Sequence, residues 1–179
     1  MITILSGLFI KNRDQFGDSD VRRAYGMLCS IVGIALNVFL FAGKYLAGVI
    51  SGSIAITADA FNNLSDAGSS FISMIGFKFS GMKADADHPF GHGRIEYVAG
   101  FGVSMIIILM GFELLKTSVG KIVHPEPVEA SALAAGILIT SICVKTYMFF
   151  YNRAVGTKIQ SETMKATAMD SMSDSIATT

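Results

Sequence analysis

Long apolar runs separated by short polar breaks dominate this chain. Ala24 to Gly43 carries no charge, enough to cross a hydrocarbon core of about 30 Å at about 1.5 Å per residue. The run continues past Lys44 to about Ile50, and Ser51-Gly52-Ser53 then reads as a tight turn. A second run covers 54–81, interrupted by Asp59 and Asp66. A polar segment, 82–94, leads to a third run over 95–120. His124-Pro125-Glu126-Pro127 breaks the chain before a fourth run, 130–152, and a fifth occupies 163–179. The pattern predicts an all-α polytopic membrane protein, with 1–23 as an N-terminal segment and 24–179 as a transmembrane domain.

Composition sharpens that reading. Hydrophobic residues make up 51% of the chain and charged residues only 16%, where a soluble domain carries about 25% charge. Fourteen Lys and Arg balance fourteen Asp and Glu, so no basic field points to nucleic acid. Cys29 and Cys143 sit in apolar runs without a CxxC spacing, and both are expected to be buried thiols. The fifth run is short for a spanning helix and contains Asp170 and Asp174. The expectation is a chain cut short within its fifth span.

Orientation follows from the positive residues. Of the fourteen, ten (Lys11, Arg13, Arg22, Arg23, Lys78, Lys83, Arg94, Arg153, Lys158 and Lys165) fall on one side of the predicted spans. Lys116 and Lys121 fall on the other, and Lys44 and Lys145 lie inside spans. The excess places the N-terminus in the cytoplasm. The opening decapeptide MITILSGLFI has neither a basic leader nor a cleavage site, so it does not read as a signal peptide. Two readings remain for it: an interfacial helix on the cytoplasmic leaflet, anchored by Lys11 and Arg13, or a frayed terminus.

Carboxylates in such runs are costly, at about 2.5–3.5 kcal/mol each at a helix centre, and so mark function. Asp59, Asn62 and Asp66 stand at i, i+3 and i+7 of the second run, and Asp170 and Asp174 at i and i+4 of the fifth. Each group forms one helix stripe. Asp59 has two readings, an ion pair with Lys44 or an outer partner of a metal site. Asp66, Asp170 and Asp174 have only Lys145 as a basic residue of the spans to balance them, so a bound cation or protons must supply the remaining charge. The set Asn62, Asp66, Asp170 and Asp174 is all oxygen, which suits Mn2+, Mg2+ or Ca2+ better than Zn2+. Small residues flank both stripes, including Ser65, Gly68, Ser69 and Ser70, then Ser171, Ser173 and Ser175. They allow close helix approach and offer hydroxyls for interhelical bonds. Asn37 is a further interior polar group, able to bond either a ligand carboxylate or a neighbouring helix.

The segment Asp85-Ala86-Asp87-His88-Pro89-Phe90-Gly91-His92-Gly93-Arg94 is the densest polar stretch. Asp85 or Asp87 with His88 and His92 could form a cytoplasmic metal site of two nitrogens and one oxygen. The alternative is a polar turn whose histidines bond backbone or headgroups. Arg94 and Glu96 then open the third span as ordinary interfacial anchors.

Three stretches, GSIAITADAFNNLSDAGSS (52–70), HPFGHGRIEYVAG (88–100) and ATAMDSMSDS (166–175), stand in the order and separation of the cation diffusion facilitator family. The chain resembles that family over roughly residues 20–179. The resemblance implies a homodimeric exporter of divalent metal with six spans per subunit, of which about five are present here. It implies metal/proton antiport by alternating access and a transport site at Asn62, Asp66, Asp170 and Asp174. The Asn-Asp plus Asp-Asp pairing is similar to the manganese or iron branch, with Zn2+ less favoured. A loop metal site at Asp85, His88 and His92 is also implied, whereas the family's sixth span and C-terminal cytoplasmic domain are missing. No resident cofactor is expected; the partners are the transported ion, protons, the bilayer and a second copy, in a plasma membrane of bacterial type. The competing reading is a membrane module that binds or senses metal without transporting it. An intramembrane enzyme is disfavoured, since no His lies in any predicted span and no nucleophile–base pair or HExxH is present.

Overall fold

A computed structural model describes residues 2–10, 14–52, 54–82, 84, 88–123 and 132–178. Six α-helices and no strand occur among them: α1 (Ile2–Phe9), α2 (Ser19–Ser51), α3 (Ile54–Ser80), α4 (Ile95–Val123), α5 (Ala132–Lys158) and α6 (Glu162–Thr178). Two of them, α2 and α4, are apolar enough along a membrane-length stretch to span by composition alone. The other two long helices, α3 and α5, each have 27 residues and so reach about 40 Å. Helix α3 carries Asp59 and Asp66 in its interior and α5 carries Lys145, as α2 carries Lys44.

Local chemistry explains the helix ends. Asp18 caps α2, its carboxylate accepting the Asp20 N–H at 2.8 Å, so the helix begins a turn and a half before the apolar run. At the other end Gly52 adopts φ 67°, a left-handed geometry that glycine takes without a Cβ penalty. That turn sends α3 back along α2. Ser53 lies outside the described residues, as do the 124–127 break and the expected anchors Lys11 and Arg13. Ser161 opens α6, its Oγ accepting the Met164 N–H at 3.3 Å.

Polarity in this bundle is inverted relative to a soluble domain. Asn37, Lys44, Asn63, Asp66, Lys145, Asn152 and Asp170 are buried. Tyr97, Phe101, Ile108 and Phe112 of α4, with Phe39 and Leu46 of α2, are exposed. Buried charge beneath an apolar surface fits a lipid solvent. Cys143 departs from expectation: it lies on the exposed surface of α5, while Cys29 is buried. A small thiol is compatible with either environment.

The apolar core gathers at the end of the bundle where α2 starts and α3 and α5 finish. Tyr25, Cys29, Phe77, Met148, Tyr151 and Met164 meet there. Ile2 of helix α1 and Ile10 just beyond it join this cluster, and the Ile2 N–H donates to Tyr147 Oη at 3.2 Å. The opening decapeptide therefore packs one face on the bundle. Arg22 ties the same end together, donating to the Ile159 carbonyl at 2.7 Å and lying 3.6 Å from Glu96. Glu96 thus pairs with the start of α2.

Small residues set the close helix crossings. A Cβ on Gly76 of α3 would overlap the Cβ of Ala99 on α4, and one on Gly33 would meet Ser70 Oγ. Most hydroxyls in these regions bond their own helix. Ser73 donates to the Ser69 carbonyl at 3.1 Å, and Ser171 to that of Thr167 at 3.1 Å. Back-bonding to the fourth preceding carbonyl satisfies a buried hydroxyl locally. Interhelical hydroxyl contacts include Thr163 to the Glu96 carbonyl at 3.0 Å, Thr146 with Ser175 at 3.2 Å, and Tyr151 to the Cys29 carbonyl at 3.4 Å.

A candidate metal centre of three carboxylates and a lysine

Helices α3, α5 and α6 converge on a buried polar cluster. Asp66 comes from α3, Lys145 from α5, and Asp170 and Asp174 from successive turns of α6. One oxygen from each of the three carboxylates lies within 4.8 Å of the others. Opposed oxygen ligands on a hard divalent ion stand about 4–5 Å apart, so little movement would close them around one.

The lysine sits against two of these groups. Its Nζ is 2.6 Å from Asp66 Oδ2 and 2.6 Å from Asp174 Oδ2. Both Asp66 and Lys145 are only 2% exposed, which removes the water that would otherwise solvate them. Asn63 adds an amide donor to Asp66 Oδ2 at 3.4 Å. The other oxygen, Asp66 Oδ1, is buried without a hydrogen-bond partner among the described residues. Asp170 is likewise buried, and among the described residues it makes no hydrogen bond or ion pair. Three carboxylates facing one ammonium leave two negative charges uncompensated, together with oxygen lone pairs aimed inward. Such a site has a standing demand for cations.

The sequence-predicted residues separate into groups. Asp66, Asp170 and Asp174 come together. Asp59 does not join them, since seven residues along a helix amount to about 10 Å of rise. It pairs instead with Lys44 of α2 at 2.8 Å. Asn62 is exposed, while its neighbour Asn63 is buried beside Asp66. The two asparagines flank Asp66 at about 40° and 60° on opposite sides of the helix, so only one can share its buried face. Asn37 is buried, with Oδ1 unpartnered among the described residues.

In the polar loop, His88 and His92 bring their ring centroids within 4.3 Å, with His88 exposed and His92 buried. Asp85 and Asp87 lie outside the described residues. Sequence reasoning left Lys145 and Asn63 out of the site. The signal for Lys145 was present, because it is the one charge in 132–152. Nothing in the spacing distinguished Asn63 from Asn62.

Known proteins share sequence with this chain over most of its length. The model of the cation efflux transmembrane domain matches residues 30–179. An uncharacterized transporter of Methanocaldococcus jannaschii is 33% identical over 84% of this chain and 52% of its own length. The manganese efflux system protein MneS of Bacillus subtilis is 30% identical over 81% of this chain and 50% of its own. The magnetosome protein MamM of Paramagnetospirillum magneticum is 33% identical over 82% and 46%. The chain thus spans about half the length of the curated relatives it matches. On these matches the chain belongs to the cation diffusion facilitator family, whose members move divalent metal ions across membranes.

Proposed function

We propose that this protein exports a divalent metal ion in exchange for protons, and that it favours Mn2+ or Fe2+ over Zn2+. The observation that carries the proposal is the buried trio Asp66, Asp170 and Asp174 with its two uncompensated charges. One divalent ion cancels that deficit, and so do two protons. A site that accepts either in turn has what an exchange mechanism needs, because metal can bind only as protons leave. An all-oxygen donor set favours hard ions. The Bacillus relative named as a manganese efflux system protein supports the same preference.

Within this reading Asn62 supplies a fourth oxygen when α3 turns slightly toward α6. Asp85, His88 and His92 hold a further ion at the cytoplasmic loop. The N-terminus faces the cytoplasm, two copies form the working unit, and the membrane is a bacterial-type plasma membrane. Residues that open the site to one face at a time give alternating access.

The test is flux of Mn2+, Fe2+, Zn2+ and Mg2+ into proteoliposomes holding the full-length protein, with a proton-sensitive dye inside. Mn2+-driven proton release that disappears in Asp66→Ala is the expected result. Zinc moving alone would overturn the ligand argument. Metal binding without flux of any ion, even with the rest of a full-length relative supplied, would favour a binding or sensing module.

A further inference from the structure

A divalent ion bound to the same two oxygens as an ammonium would lie only about 4 Å from it, where repulsion between like charges in a buried site is strong. Lys145 Nζ already sits 2.6 Å from Asp66 Oδ2 and 2.6 Å from Asp174 Oδ2, within the space that a divalent ion coordinated by these residues would fill. Lys145 is also the sole positive group touching the trio among the described residues. Its position is built by the fold: the side chain is 3% exposed and crosses from α5 to reach carboxylates on both α3 and α6.

We propose that Lys145 is a tethered counter-cation that occupies the empty transport site, excludes monovalent ions from it, and is displaced from Asp66 and Asp174 by a divalent ion. The inference rests on the transport-site reading above. Charge and tethering together give the selectivity. A Na+ or K+ ion carries the same single charge as the ammonium but must be brought from dilute solution and stripped of water. The ammonium is already present at high effective concentration on its four-carbon stem. A divalent ion brings twice the charge to the same oxygens and so can win. Once it has, three carboxylates, one divalent ion and one ammonium form a neutral cluster, so the lysine can swing aside without leaving the neighbourhood. Its flexible stem and point charge suit that movement better than a guanidinium, which would grip two carboxylates with a fixed fork.

A merely structural lysine predicts the opposite sign. If Lys145 only positioned Asp66 and Asp174, its removal would loosen the site and weaken metal binding. If it competes, its removal tightens binding, by about tenfold where the ammonium holds nine of ten empty sites. Loss of the occupant also lets monovalent ions in.

The experiment is calorimetric titration of Mn2+ into the detergent-purified protein, in buffers containing either Na+ or a bulky organic cation. Wild type is expected to bind Mn2+ with an affinity that Na+ does not change, and Asp66→Ala to bind none. Lys145→Met is expected to bind Mn2+ about tenfold more tightly, and Na+ is expected to compete with it. Lys145→Arg provides a second reading should the methionine variant fail to fold: Mn2+ binding weakens while indifference to Na+ is kept. Equal or weaker Mn2+ binding by Lys145→Met, or arginine binding Mn2+ as tightly as lysine, overturns the role of Lys145 while leaving the site intact. Failure of wild type to bind Mn2+, Fe2+ or Zn2+, or binding unaltered by Asp66→Ala, overturns the transport-site reading and this inference with it.

Discussion

Lys44 of α2 and Asp59 of α3 lie 2.8 Å apart, in an ion pair separate from the three-carboxylate cluster. The lysine side chain is 3% exposed and the aspartate 35%, so the burden of desolvation falls on the ammonium. Asp59→Ala strands that ammonium in the bundle and should lower stability by about 1–3 kcal/mol, below the full cost of breaking a buried pair because Asp59 retains solvent contact. Thermal unfolding in detergent would show it. Replacing both partners, as Lys44→Met with Asp59→Leu, should recover most of the loss, while Mn2+ affinity stays within about threefold of wild type throughout. A large loss of Mn2+ affinity in the double variant would put Asp59 in the metal site after all.

Much of this architecture was legible in the apolar runs, because length and lack of charge are sufficient to specify a spanning helix. The turn at Gly52 and the carboxylates of the second and fifth runs could be read the same way. Side-chain partnership was harder. The stripe Asp59, Asn62, Asp66 treats a helix as a face and ignores rise, which is why Asp59 ends beside Lys44 and not beside Asp66. The choice between Asn62 and Asn63 depends on which neighbour α3 meets, a tertiary matter invisible in one sequence. Lys145 entered only as a charge to be counted, and the structure shows it bridging α3 and α6. The serines offered hydroxyls for bonds across helices; Ser175 does meet Thr146 of α5, whereas Ser65 and Ser171 turn to the carbonyl four residues back on their own helix.

Asp170 offers a separation of function from folding. It is buried yet makes no hydrogen bond or ion pair among the described residues, so no direct contact of its carboxylate ties the helices together. Asp170→Asn should leave stability unchanged or slightly raised, while removing one anionic ligand and weakening Mn2+ binding by at least about tenfold, or about 1.4 kcal/mol. Unfolding and Mn2+ titration on the same preparation test both halves. Clear destabilisation would mean that Asp170 has a structural partner, and unchanged binding would remove it from the ligand set.

Asn62 tests whether donor chemistry sets selectivity. Asn62→His introduces a nitrogen next to the oxygen cluster, and nitrogen suits Zn2+ better than it suits Mn2+. The ratio of Zn2+ to Mn2+ flux in proteoliposomes should rise by about an order of magnitude, since one good ligand is worth about 1–2 kcal/mol in discrimination. An unchanged ratio would mean that the exposed position of Asn62 persists during transport. Asn63→Ala should then be the more damaging change, because it removes the amide donor at 3.4 Å from Asp66.

Gly76 and Ala99 test the packing that holds α4 against α3. A Cβ at Gly76 would overlap that of Ala99, and both residues are buried; the alanine methyl is fixed to its backbone and cannot rotate away. Gly76→Ala should therefore destabilise the protein by about 1–3 kcal/mol, the usual cost of overpacking, despite alanine's better helix propensity. Adding Ala99→Gly returns the missing space and should restore most of that loss. Thermal stability of the two single variants and the double variant gives the coupling directly. Additive effects would show that α3 and α4 do not make this close approach in the membrane. A strong positive coupling would show that small residues set the spacing between them.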